Sequence, residues 1–410
     1  MKISLRIIAL LLSMLLALSI VACNKPEPII EEATETEEIT EAPATERSTV
    51  RVEDAKVDPV LQKVPDIDLP DGIKNIILII GDGMGPVHLN AGQIYDGKTY
   101  AFTEWNHTVA DTDSISSQGK DSATDSAAAA TAIATGTLTN NGYVGKSRTG
   151  YDYCTILDVA KSVGKSTGIV TSDYLYGATP AGFSAHSVNR DSQTRIVETQ
   201  LDSGVDFMLG LRDDGKYSRR AVTEKGYLYD TAITDTDKIL AAEKALLSVN
   251  IENGKENEIA LKDAASLAID FLERDSDGFV LMIEQAYIDK YSHNNKIEGM
   301  LDRVSSLNQT VEMVMEWVGD RTDTAVIVTA DHETGGLSIS TEEEYENVYE
   351  DGAEKIYYQW ASGNHTKTMV DVFVYGVDFE FSIISEFETS EKIKNTDIFK
   401  FMYCLIAEPQ

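Results

Sequence analysis

Asn75-Ile-Ile-Leu-Ile-Ile-Gly-Asp82-Gly-Met-Gly85 is the stretch that decides the fold. The apolar run Ile76–Ile80 is too short for a helix, and a glycine ends it. It reads as a strand buried on both faces, running into a turn that presents the carboxylate of Asp82 at its carboxyl end. The same pattern recurs at Ser166–Thr171, Gly278–Ile283, Thr324–Thr329 and Met369–Tyr375. Helix-like stretches are expected at Ser126–Ala134, Thr155–Ser162, Ile239–Leu247, Glu258–Glu273 and Met300–Trp317. Strands alternating with helices predict an α/β domain: a large central, mainly parallel sheet with helices on both faces. Ligands of such folds lie beyond the carboxyl ends of the strands.

The polar motifs fall at those ends. Taken alone, Asp82 reads equally as a turn residue or a cation ligand. Thr124-Asp125-Ser126-Ala127 opens an Ala/Thr run that stops at Gly136. Ser126 therefore stands at a helix N-terminus, where free N–H groups favour an oxyanion and a phosphate. By itself it reads first as a helix cap. Phe279-Val-Leu-Met-Ile-Glu284 is a strand ending in a carboxylate, followed by Asp289, Lys290 and His293. Asp289 and His293, at i and i+4, share one helical face, as zinc ligands must, although surface ion pairs give the same spacing. Ala325-Val-Ile-Val-Thr-Ala-Asp331-His332 ends a further strand in adjacent ligand types before a glycine pair, and Ser362-Gly-Asn-His365 adds a loop histidine.

Together these segments resemble the alkaline phosphatase family in order and spacing, from about Ile73 to Gly376. Gly177-Ala-Thr179 through Arg190 joins the match, and the fold it implies is alkaline phosphatase-like. The resemblance implies hydrolysis of small-molecule phosphate monoesters through a phosphoserine on Ser126, with two zinc ions and one magnesium. By that resemblance Asp289, His293 and His365 hold one zinc, and Asp82, Asp331 and His332 the second. Asp82, Thr179 and Glu284 surround the magnesium. Arg190 clamps phosphate bidentately, Asp125 orients it, and Lys290 assists in substrate binding. A homodimer is left open.

One position departs. Family members commonly carry Asp or His where this chain has Gly177, which leaves the third ion short of a ligand and Lys290 without its usual counter-charge, unless a neighbour such as Asp173 supplies it. No role is assigned to Gly210–Lys225, nor to His88, His107 and His186. Trp105, Trp317 and Trp360 read as packing residues. Rival chemistries on the same fold are phosphodiester, sulfate and phosphate-mutase reactions. Arg190 favours the dianionic monoester, and no sulfatase-type aldehyde motif is present. A non-catalytic surface lipoprotein is the rival from another class.

Composition agrees with a small-molecule site. The 410 residues carry a formal net charge of −33, with 42% hydrophobic residues. So acidic a chain is a poor nucleic-acid binder. To attract phosphate it needs strong local positive charge, for which metal cations are the obvious source. Lys2 and Arg6 precede the apolar run Ile7–Ala22, short for a membrane span and suited to a signal peptide over residues 1–22. Ile20-Val21-Ala22-Cys23 looks like a bacterial lipobox, implying lipidation of Cys23 and an extracytoplasmic protein anchored to a bacterial membrane. An uncleaved anchor is the alternative. Residues 23–67, rich in Glu, Thr, Ala and Pro, read as a disordered acidic linker to a catalytic domain over 68–410. Of the remaining cysteines, Cys154 and Cys404, unpaired thiols are expected.

Overall fold

The computed structural model describes residues 72–213, 215–387 and 390–406. The expectations for the leader, Cys23, the linker and the boundary at Asp68 lie outside the described residues. Ten strands form one sheet: β1 (Asn75–Gly81), β2 (Asn106–Asp111), β3 (Ser166–Thr171), β4 (Phe207–Leu211), β5 (Leu228–Asp230), β6 (Ala245–Val249), β7 (Phe279–Gln285), β8 (Thr324–Thr329), β14 (Val370–Tyr375) and β15 (Lys392–Lys394). Their spatial order is β15-β2-β14-β8-β1-β7-β3-β4-β6-β5. Only β14 runs antiparallel to its neighbours; every other pairing in this sheet is parallel. The short strands β9 (Glu333–Thr334) and β13 (His365–Thr366) pair with each other, while β10 (Leu337–Ser340), β11 (Asn347–Tyr349) and β12 (Ile356–Trp360) form a separate small sheet.

β1 lies at the centre, and Ile76, Ile77, Leu78, Ile79 and Ile80 are wholly buried. Helices on both faces leave no polar side to the strand, which is why it lacks alternation. Each of these side chains contributes about 2 kcal/mol by leaving water. β1 pairs with β7 on one side and β8 on the other, with Ile80 opposite both Glu284 and Thr329. Thr171 of β3 in turn faces Glu284. The carboxyl ends of β8, β1, β7 and β3 are thus level, and the polar residues following them meet at one edge.

The helix Ser126–Thr135 is buried along its whole length. Its alanines permit close neighbours: a Cβ on Gly182, in helix Ala178–Ser184, would lie 2.8 Å from Ala130 Cβ. Gly136, at φ 67°, ends the helix in the left-handed conformation.

One expected helix is corrected. Ile239–Leu247 divides into a short helix, Thr236–Leu240, and the buried strand β6. Its Ala and Leu residues favour helix locally, but pairing with β4 and β5 buries Ala245–Val249 completely and overrides that preference there. Within Gly210–Lys225 lie the end of β4 and helix Arg219–Glu224, a framework role. Cys154 and Cys404 are unpaired.

Candidate active site and metal centre

The parts of the site arrive from different elements. β1 delivers Asp82, β8 delivers Asp331 and His332, and β7 delivers Glu284 and then helix Tyr287–His293 with Asp289, Lys290 and His293. Thr179 lies in helix Ala178–Ser184, and His365 in β13. The pairing of β13 with β9 sets His365 opposite Thr334, two residues beyond His332.

Asp125, not Ser126, caps helix Ser126–Thr135. Its Oδ1 accepts from Ala128 N–H at 3.0 Å. Its Oδ2 accepts from Gly142 N–H at 2.9 Å and Arg190 Nη1 at 3.1 Å. One carboxylate therefore closes the helix end and aims the guanidinium. Ser126, the first helical residue, keeps its hydroxyl out of capping and lies 3.2 Å from His332 Nε2.

Asp289, His293 and His365 converge. His293 Nδ1 lies 2.7 Å from the Gly363 carbonyl and His365 Nδ1 2.8 Å from the Thr124 carbonyl, so both Nδ1 atoms carry protons and donate. That directs both Nε2 atoms inward, 3.1 Å apart and 3.3 and 3.4 Å from Asp289 Oδ1. Two nitrogen lone pairs and a carboxylate oxygen meeting at one point repel unless a cation lies among them. A proton can take that part, and accordingly the hydrogen bond to Asp289 pushes His293 up to about 9.

The second group, Asp82, Asp289 and His332, is buried throughout. The Thr334 hydroxyl donates to Asp289 Oδ1 at 2.5 Å and lies 3.4 Å from His332 Nδ1. The His332 proton accordingly belongs on Nδ1, with Nε2 facing Ser126, Asp331 Oδ2 (3.3 Å) and Asp82 Oδ1 (3.6 Å). Asp331 Oδ1 accepts from the N–H groups of Gly83 and His332. Asp331 Oδ2 and Asp82 Oδ1, both buried, have no hydrogen-bond partner, and neither does Thr179 Oγ1. Burial first, and then neighbouring carboxylates, raise Asp82 and bring Asp331 up to about 6 and Glu284 to about 7. Orphaned buried oxygens and mutually repelling carboxyls are what divalent cations would satisfy. The donor set fits metal ions.

One expectation changes here. Lys290 does not lack a counter-charge, because its ammonium is ion-paired with Asp173, in the loop after β3. Several supporting residues were passed over in the sequence. Thr171 Oγ1 donates to Glu284, which the register of β3 with β7 explains. Thr334 had a signal, two residues from His332 and hence on the same side of an extended segment. His88 is wholly buried, 3.2 Å from Ser292 Oγ, and its ring is held down to about 4 by burial. Through Ser292 it contacts helix Tyr287–His293. His107 of β2 pairs with Asp371 of β14, and His186 bonds the Gly145 carbonyl.

A mostly parallel α/β sheet thus carries, over its carboxyl edge, a serine, an arginine and two converging groups of side chains that could hold cations. The alkaline phosphatase family pattern matches residues 73–208 and 240–401. Alkaline phosphatase 3 of Bacillus subtilis is 31% identical over 296 residues, which is 66% of this chain and 63% of that protein. The match thus spans under two thirds of that relative's length. The solved alkaline phosphatase of the Antarctic bacterium TAB5 superposes with a TM-score of 0.71 at 25% identity, covering 83% of this chain and 99% of that one. A variant of the TAB5 enzyme with Mg bound gives 0.69 at 26% identity, with the same coverage. This chain belongs to the alkaline phosphatase family.

Proposed function

We propose that this protein hydrolyses phosphate monoesters with the help of metal ions, through a phosphoserine on Ser126, releasing an alcohol and inorganic phosphate. The observation that carries this reading is the Ser126 hydroxyl. It is free of capping and faces His332, while Asp125 holds Arg190 at the same helix end.

Asp289, His293 and His365 would hold one zinc, and Asp82, Asp331 and His332 a second; nitrogen-containing sets of this kind suit zinc. Asp82, Thr179 and Glu284 offer only oxygen, which suits magnesium. Bound there, the cations supply positive charge that stabilises the attacking and departing oxygens. Ser126 Oγ attacks phosphorus, its bond to phosphorus forming as the ester P–O bond breaks. Arg190 binds two non-bridging oxygens and favours the dianionic monoester over a diester. Water then cleaves the phosphoserine, restoring the hydroxyl. The helix N-terminus at Ser126 adds fixed partial positive charge to the phosphate in both steps.

We infer from the leader that residues 1–22 are removed and that a lipid on Cys23 tethers the catalytic domain outside the cytoplasm of a bacterium. The test of the activity compares hydrolysis of an aryl phosphate, a bis-aryl phosphate and an aryl sulfate, each before and after chelation. Chelator-sensitive turnover of the monoester above the other two is expected. A preference for the diester or the sulfate would overturn the reading.

A further inference from the structure

Lys290 follows Asp289 in helix Tyr287–His293, and its ammonium is held on two sides. It pairs with Asp173 Oδ1 and lies 4.4 Å from the centre of the Tyr287 ring. Asp173 is itself fixed through its backbone. Its N–H donates to Thr171 Oγ1 at 2.9 Å, and its carbonyl accepts from Leu211 N–H at 2.7 Å. The Thr171 hydroxyl in turn donates a hydrogen bond to Glu284. The loop after β3 is thereby locked to the end of β7.

Gly177 explains how the Asp173 carboxylate fits. The backbone there has φ −58°, which any L-residue adopts, so conformation does not require glycine. Space does. A Cβ at 177 would lie 2.8 Å from Asp173 Oδ2 and 2.9 Å from the Tyr174 carbonyl oxygen. The first contact is the end of a side chain, so the carboxylate would be pushed aside; the second is backbone, so the loop that carries Asp173 would have to shift as well.

We propose that Lys290 acts on bound phosphate, that Asp173 determines the position and net charge of its ammonium, and that position 177 is glycine to admit this carboxylate. Asp173 and Gly177 are positioning residues: they act through Lys290 and need not touch substrate. The inference rests on the proposed phosphomonoesterase reading. With Asp173 in place, the ammonium is neutralised and held back. Released, it attracts substrate and product phosphate alike, which lowers KM without raising kcat and slows product release.

The test measures calorimetric binding of inorganic phosphate to the zinc-loaded full chain. The proteins are the parent, Asp173→Asn and Gly177→Ala, each with Lys290 intact and with Lys290→Ala. The Lys290 and Asp173 side chains are 37% and 17% exposed, so the pair is partly screened. Phosphate binding is expected to tighten roughly fivefold in Asp173→Asn, the upper range for such a pair. Gly177→Ala should act in the same direction although it retains the carboxylate. Both gains should vanish without Lys290, because the three residues act as one unit. KM for an aryl phosphate should fall in step, with kcat unchanged or lower. Unchanged or weakened phosphate binding at full zinc content, or equal gains without Lys290, would overturn the proposal. Should Asp173→Asn fail to fold, Gly177→Ala decides it alone. A parent that binds no phosphate would instead sink the activity reading on which the inference stands.

Discussion

Ser126 and Glu284 are both buried, yet their loss should differ in kind. Ser126→Ala removes the oxygen proposed to attack phosphorus and leaves every carboxylate and imidazole in place. Most activity should go while metal content stays, and acid quenching of the parent with substrate should trap phosphate on Ser126. His332→Ala or His365→Ala should cost more turnover than Glu284→Ala, since the histidines belong to the two proposed zinc sites; the reverse ranking would contradict the ligand sets. The same residues give the metal-free protein a distinctive pH response. Glu284, raised from 4.5 to about 7, and Asp331, raised from 3.8 to about 6, bind protons more tightly folded than unfolded. Their favourable contribution is complete below the unfolded values and is lost as pH rises through the folded ones. His293, raised from 6.5 to about 9, has the same sign and loses its contribution as pH rises through about 9. His332, lowered by burial, opposes them only on acidification below 6.5. Between pH 6.5 and 9 the Tm of chelated protein should therefore fall, and added zinc should restore it most at the alkaline end. Thermal unfolding with and without zinc across that range is the measurement, and a flat profile for the chelated protein would count against the site.

Helix Ser126–Thr135 is positioned by contact with helix Ala178–Ser184, which bears Thr179. The absence of side-chain bulk sets their separation. A Cβ at Gly182 would also lie 3.1 Å from the Ala130 carbonyl carbon and 3.1 Å from Thr131 N, so relief requires moving a backbone. Gly182→Val should cost about 1–3 kcal/mol by overpacking, read as a lower denaturant midpoint. Because one helix starts at Ser126 and the other carries Thr179, turnover should fall by more than that stability loss accounts for. The short β9–β13 ladder acts similarly on His365. Glu333 accepts from the Thr366 hydroxyl and from the N–H groups of Gly336 and Leu337, tying the His365 segment to the one that bears His332.

At the scale of the molecule, a net charge of −33 surrounds a site proposed to bind a dianion. The Arg190 guanidinium and the proposed cations must therefore dominate locally; the Arg190 side chain is 35% exposed, so salt should weaken its share. Among the described residues no helix is long and apolar enough to cross a membrane. Membrane attachment would fall to the proposed lipid on Cys23. Cys23→Ser should release the protein from the membrane fraction or block its processing, since the thioether needs a thiol. Mass spectrometry of the mature chain checks this, and an intact Met1 would remove the lipoprotein reading without touching the enzyme reading.

Much of the site was legible in the sequence because its signals are local. An apolar run ending in Asp82, in Glu284 or in Asp331-His332 is contiguous, and i, i+4 spacing alone places Asp289 and His293 on one helical face. The mainly parallel sheet followed from the alternation of such runs with helical stretches. Long-range pairing decided what remained. The end of Ile239–Leu247, from Ala245 on, became strand because β4 and β5 were there to bury it, and β14 reversed direction between β8 and β2. Asp125 took the capping role that Ser126 could equally have filled, because Gly142 and Arg190 converge on its second oxygen. Lys290 found Asp173, more than a hundred residues earlier in the chain, only because β3 lies beside β7. Contacts of that kind depend on which strands become neighbours, and the hydrophobic pattern of any single segment does not encode that choice.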